Sequence, residues 1–133
     1  MLNAPLAPEE SKARIAGRPL FVWGAGQVGA GLINALRRIG VRPDGFIDNR
    51  KQLHGTEVLG CPVTPPAAVL ERGDNPHIVI ATFQHQGAIA SACEASGMSA
   101  GRDFTRYDEL NPLNYQIVVA GVCNLRCISC PVG

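Results

Sequence analysis

The stretch Leu20–Gly31, LFVWGAGQVGAG, most constrains what this chain can fold into. Four bulky apolar residues, Leu20, Phe21, Val22 and Trp23, run directly into Gly24, Gly26 and Gly29. A short continuous apolar run suits a strand buried on both faces. The pattern from Gln27 to Ile39 then places Val28, Leu32, Leu36 and Ile39 on one helical face, with Gly40 as a stop. In a strand–glycine turn–helix unit each glycine has a distinct use. Gly24 permits the tight turn, Gly26 removes a Cβ so that a phosphate can approach the backbone, and Gly29 lets helix and strand sit close. Gln27 and Val28 open the helix, where free N–H groups and the dipole favour an anion.

Asp48 lies 19 residues past Gly29 in a second apolar segment, Gly45-Phe46-Ile47-Asp48. A carboxylate there can accept from a ribose hydroxyl. The plainer reading is a turn without a ligand, with Asp48 capping the loop that follows. Asn49 and Arg50 beside it leave a 2′-phosphate or a different nucleotide open.

Further along, Val58-Leu59 and Cys61-Pro62-Val63 read as short extended pieces. Thr64-Pro65-Pro66 reads as an N-cap followed by prolines tolerated in a first turn, so a helix is expected from Pro65 to Arg72. His77–Thr82 is the next buried strand, Gln86–Ser96 a helix with Ile89, Ala92 and Cys93 inward, and Asp103–Arg106 a last short strand. Alternating strands and helices imply an α/β fold: a parallel sheet with helices on both faces. Ligands in such sheets bind beyond the carboxyl ends of the strands, where strand order reverses. That expectation gathers Gly24, Gly26, Asp48, Thr82 and Gln84 around one crevice.

WGAGQVG, GFIDN, VLGCPV and IVIAT together resemble the small Rossmann-like N-terminal domains of sugar-nucleotide acyltransferases and polysaccharide-biosynthesis dehydratases. The resemblance covers residues 18–110 and implies a three-layer Rossmann-like domain. Its crevice would hold NAD(P) or a nucleotide-sugar, with Gly24, Gly26, Gln27, Val28, Gly29, Asp48 and Thr82 as the binding set.

After Asn111-Pro112-Leu113 the composition changes. Tyr115–Gly121 is a new apolar strand, followed by Cys123, Cys127 and Cys130 at a C-x3-C-x2-C spacing. Three thiolates on a short loop can face one soft metal centre, and thiolates hold iron–sulfur clusters. Zinc held by the same thiols plus Cys61 or a histidine is the alternative, although no fourth ligand lies nearby in sequence. The strand and VCNLRCISCPVG resemble the opening of the radical S-adenosylmethionine (radical SAM) superfamily. The resemblance implies that Cys123, Cys127 and Cys130 ligate a [4Fe–4S] cluster and that S-adenosylmethionine chelates the fourth iron. A 5′-deoxyadenosyl radical would then act on a small-molecule or peptide substrate, with electrons from a flavodoxin- or ferredoxin-type donor. Ser129 departs from the aromatic residue common before the third cysteine, which removes a contact to adenine but not a ligand.

Three segments follow: an N-terminal extension at 1–17, the Rossmann-like domain at 18–110, and at 111–133 the first strand and cluster loop of a truncated barrel. Because the sequence stops three residues after Cys130, it reads as the front end of a longer enzyme, inactive by itself, with its cysteine loop expected to be empty of iron and strand 115–121 expected to pair with a sheet edge or a second copy or else to be disordered.

The other signals are quieter. With 133 residues and a net charge of +1 there is no basic stripe, so nucleic acid is not expected as a partner. No apolar run reaches the ~20 residues of a membrane span, and no signal core opens the chain, so a cytoplasmic location is expected. A homodimer stays open. Cys61 and Cys93 read as small core residues. His77 opens a strand and His54 sits in a polar loop. His85 follows a strand end, facing solvent on the simpler reading and lining the crevice on the other. A stand-alone dehydrogenase lacks support, since Lys12 and Lys51 are the only lysines and no Tyr-x-x-x-Lys pair occurs.

Overall fold

The computed structural model describes Ala13, Ile15 and residues 17–107. Its first strand, β1, is Leu20–Trp23, and all four residues are buried. Because strand side chains alternate, Leu20 and Val22 join one core while Phe21 and Trp23 join another across the sheet. This is why the run is apolar throughout rather than alternating.

Helix α1 follows at Gln27–Arg38 and buries Gly29, Leu32, Ile33, Ala35 and Leu36. Val28 and Ile39 pack at the margin of the same core. The helix ends in a paired closure. Gly40, at φ +83°, donates its N–H to the Arg37 carbonyl, and Val41 donates to that of Leu36. This left-handed glycine cap satisfies carbonyls that would otherwise be orphaned. Arg37 and Arg38 in the last turn suit the negative end of the dipole.

Strand β2 is Gly45–Ile47, one residue shorter than the sequence suggests, because Asp48 turns away to serve the glycine loop. A 3-10 turn at Lys51–Leu53 leads to β3, Glu57–Val58, and β4, Cys61–Thr64. Those two strands form an antiparallel hairpin. Leu59, expected to be extended, instead shares the two-residue turn with Gly60, at φ +54° and +78°. Both turn residues of a type I′ hairpin need positive φ. The Arg37 guanidinium holds the turn by donating to the Leu59 carbonyl at 2.6 Å.

Helix α2 is Pro66–Leu70, shorter than the sequence suggests, and its N-cap is Pro65. Thr64 does not cap it. The residue is claimed by β4, where it pairs with Ile47, and its hydroxyl donates to the Phe46 carbonyl at 3.1 Å. Strand β5, His77–Ile80, is fully buried. Helix α3 is Gln86–Ala95, with Ile89 and Cys93 buried, and β6 is Phe104–Arg106.

The sheet order is β3-β4-β2-β1-β5-β6, with every pairing parallel except β3 to β4. Helix α1 covers the face carrying Leu20, Val22, Phe46 and Val79. Residues of α2 and α3 cover the face carrying Phe21, Trp23, Ile47, Ile78 and Ile80. The chain therefore has the expected α/β architecture, a parallel sheet between two helical layers. Strand order reverses beside β1: β2 lies on one side of it and β5 on the other.

At the amino ends of the strands, opposite that reversal, a polar cluster ties the second half to the first. Arg18 donates to Asp103 Oδ1 at 2.9 Å and to the Asn75 and Pro76 carbonyls. His77 is fully buried, with Nε2 3.0 Å from the Thr105 hydroxyl. Cys61 and Cys93 are buried free thiols, as core residues would be. Among the described residues no helix is long and apolar enough to cross a membrane. The expectations for strand 115–121 and for Cys123, Cys127 and Cys130 lie outside the described residues.

Candidate functional site

A cavity of about 670 Å³ opens where strand order reverses, at the carboxyl ends of β1, β2 and β5. Ligand pockets fall in the range of roughly 300–1,000 Å³. The glycine loop forms its floor. Gly24 sits at φ +122°, and a Cβ there would stand 2.7 Å from the Ala81 carbonyl oxygen. β1 and β5 can thus approach at this level only through glycine. A Cβ at Gly29 would stand 1.9 Å from the Gly24 carbonyl oxygen and 3.1 Å from the Phe46 ring. Gly29 is accordingly a packing residue, away from the cavity wall. Gly26 differs from both, because a Cβ there would meet nothing within 4 Å. The space beside Gly26 belongs to the cavity, which Gly24, Gly26, Gln27 and Val28 all line.

Two helices begin at this cavity. Gly26 is the N-cap of α1; no side chain caps the helix and no acid stands in its first turn. His85 is the N-cap of α3, again without a side-chain cap or an acid in the first turn. The first N–H groups of a helix have no partner within it. Two uncapped starts on one cavity make it favourable for negative charge.

Asp48 lies where the sequence suggests, at the cavity edge, but its carboxylate is fully occupied. Oδ2 accepts from the Ala25 N–H at 3.0 Å and from Arg50 Nη2 at 2.9 Å. Oδ1 accepts from the Arg50 N–H and from Arg50 Nε, both at 2.9 Å. Asp48 is 6% exposed. The Arg50 guanidinium holds its carboxyl well below the usual carboxylate range, against the opposing effect of burial, with help from the Ala25 and Arg50 N–H groups. One carboxylate thereby fixes the glycine loop to the end of β2 and also makes the local turn of the plainer sequence reading. His54 Nε2 holds the Asp48 carbonyl at 2.6 Å.

Thr82 and Gln84 line the same cavity from beyond β5. His85 does so too while remaining exposed, which satisfies both readings of that residue. Sequence reasoning passed over Phe83. It is 68% exposed at the cavity wall, and its ring meets that of Tyr107 edge-on at 5.4 Å between centroids. A bulky apolar residue directly after the strand expected at His77–Thr82, among the polar residues Gln84 and His85, is the signal that could have found it. Among the described residues that line it Asp48 is the one acid, and Arg50 and His85 supply the basic groups. Among the described residues no group of three His, Cys, Asp or Glu is arranged to hold a metal ion.

No family model matches the sequence, and no curated protein matches it. Solved structures do. A UDP-D-quinovosamine 4-dehydrogenase from Vibrio fischeri superposes with a TM-score of 0.55 at 20% identity, over 76% of this chain and 87% of that one. The Rex-family repressor RSP superposes with a TM-score of 0.55 at 14% identity, over 77% of this chain and 58% of the repressor. In complex with β-NAD+ and operator DNA, RSP gives a TM-score of 0.53 at 15% identity, over 77% and 56%. The fold is Rossmann-like. At these identities the likeness extends to the fold and no further, and this chain spans little more than half of the repressor's length.

Proposed function

We propose that residues 18–107 form a nucleotide-binding module whose ligand lies in the crevice beyond β1 and β5. One observation carries this reading: two uncapped helix starts and the open space at Gly26 converge on one cavity whose single acid among the described residues is already neutralised. A diphosphate would sit against Gly26, Gln27 and Val28, where a backbone without a Cβ offers N–H donors. A sugar or base would extend toward Thr82, Phe83 and Gln84. RSP was crystallised with β-NAD+ and the V. fischeri protein is named for a UDP-sugar, so both dinucleotides and nucleotide-sugars are sensible probes. Calorimetric titration with NAD+, NADP+ and UDP-sugars tests the module. Saturable binding of one of them is expected, and absence of heat from all of them with folded protein overturns the reading.

A second reading is carried by the spacing of Cys123, Cys127 and Cys130. We infer that this trio holds a [4Fe–4S] cluster in a radical SAM enzyme to which the nucleotide module is an accessory. Three soft thiolates suit iron, and the set leaves one iron free for a chelating ligand. The cluster with bound S-adenosylmethionine would supply the reducing electron for radical formation. The chain's own part is to provide the three thiolates from one short loop. Anaerobic reconstitution with iron and sulfide checks it. A longer chain carrying the rest of the barrel should take up about four irons per chain, and equal uptake by its Cys123→Ala/Cys127→Ala/Cys130→Ala variant would sink the idea.

A further inference from the structure

The pairing of Asp48 with Arg50 bears on which nucleotide the crevice admits. A carboxylate offers about four lone-pair positions. In Asp48 the Ala25 N–H, the Arg50 N–H, Arg50 Nε and Arg50 Nη2 fill them at 2.9–3.0 Å. A ribose diol donates two hydroxyl hydrogens and needs acceptors. It can obtain them from Asp48 only by displacing both guanidinium contacts, which leaves the cation beside the ligand without its partner.

A phosphorylated ribose makes the opposite demand, for donors. Arg50 can meet it without moving. A guanidinium carries five N–H groups in a planar fork, and Asp48 takes one from Nε and one from Nη2. Both N–H groups of Nη1 and the second of Nη2 have no hydrogen-bond acceptor among the described residues. The side chain is 53% exposed and lines the cavity. Arginine forks match phosphate oxygens as well as carboxylates. Asp48 would then stand behind the guanidinium as a support, its own charge balanced, so it does not repel the incoming anion.

We infer that Arg50 is a specificity-determining residue: it converts Asp48 from a receptor for a ribose diol into the anchor of a phosphate-facing guanidinium. The crevice therefore prefers a nucleotide whose ribose carries an additional phosphate over its unphosphorylated counterpart. This rests on the nucleotide-binding reading of the same crevice and narrows it.

Calorimetric titration of NAD+ and NADP+, with 5′-AMP and 2′,5′-ADP as fragments, tests the inference on the wild-type chain, Arg50→Gln and Arg50→Lys. The wild type should bind the phosphorylated member of each pair at least about tenfold more tightly, the scale of a charge-assisted contact. Arg50→Gln should abolish the preference and bind NAD+ more tightly than the wild type does, because Asp48 is released to accept from the diol. A merely structural role for Arg50 would weaken both ligands equally. Arg50→Lys should keep part of the preference through charge while losing the fork, and it covers the case of a misfolded glutamine variant. Equal or tighter binding of NAD+ by the wild type, or an unchanged ratio in Arg50→Gln, overturns the inference. Binding of UDP-sugars with neither dinucleotide overturns it and leaves the crevice reading intact, whereas no nucleotide binding at all removes both.

Discussion

At Gly29 the packing leaves no room for one added methyl group. The added Cβ would sit 1.9 Å from the Gly24 carbonyl oxygen, with backbone on one side and the Phe46 ring on the other. Neither neighbour is the free end of a flexible side chain. Gly29→Ala should therefore lower the stability by roughly 3 kcal/mol or more, as severe overpacking does, seen as a fall in the urea midpoint. Asp103 acts through charge instead. It accepts from Arg102, from the Ser99 N–H at 2.8 Å and from Arg18, and the side chain is 6% exposed. The Arg102 guanidinium, opposed by burial and assisted by Ser99 and Arg18, holds its pKa down to about 2. A depressed folded-state pKa gives stability that is complete above the unfolded value near 4 and lost as pH falls toward about 2. Asp103→Asn should cost about 2 kcal/mol at neutral pH, as loss of a charged hydrogen-bond partner does. It should also flatten the acid limb of stability between pH 4 and 2, measured by denaturant unfolding across that range. The Arg102 share will be small, because that side chain is 73% exposed and screened.

Among the elements, α1 shows stability set against binding. Its N-cap is glycine in an extended conformation, φ −91° and ψ −159°, which a capping residue could adopt. Gly26→Asp supplies both an acceptor and a negative charge at the positive end of the dipole. It should raise the stability by roughly 0.5 kcal/mol and remove nucleotide binding, since the carboxylate takes the place of the phosphate. Thermal unfolding and titration of the same sample would show the two effects move in opposite directions. Much at this scale was legible in the sequence. Leu20–Trp23, the glycine loop and the helix after it are local patterns, and their periodicity fixed element type and inward face. The failures were those of competition. Thr64 has the chemistry of a cap, but a strand partner and the Phe46 carbonyl claimed it first. Leu59 has the composition of a strand, but the hairpin needed a turn there. Asp48 stood out by spacing, whereas its occupation by Arg50 depends on side-chain direction, which the spacing of two residues does not encode. Likewise His77 meets Thr105 and the Arg102 carbonyl across long sequence separations, invisible to any local window.

The described residues make two strand–helix halves of one sheet, joined along the ladder from β1 to β5, Leu20 opposite His77 through Trp23 opposite Ile80. The loop between them, at residues 71–76, is largely exposed. Helix α1 belongs to one half and one face, α3 to the other half and the opposite face, yet both start at the same gap. Anything lodged in that gap touches both halves together. If the polypeptide is severed at Gly73, the two pieces should reassemble through their shared ladder. A nucleotide that fits should then act as a rivet, raising the affinity of the halves for each other by the same factor that assembly raises theirs for it. Complementation of the split halves, measured with and without nucleotide, would turn a feature of strand order into a sensor for the ligand.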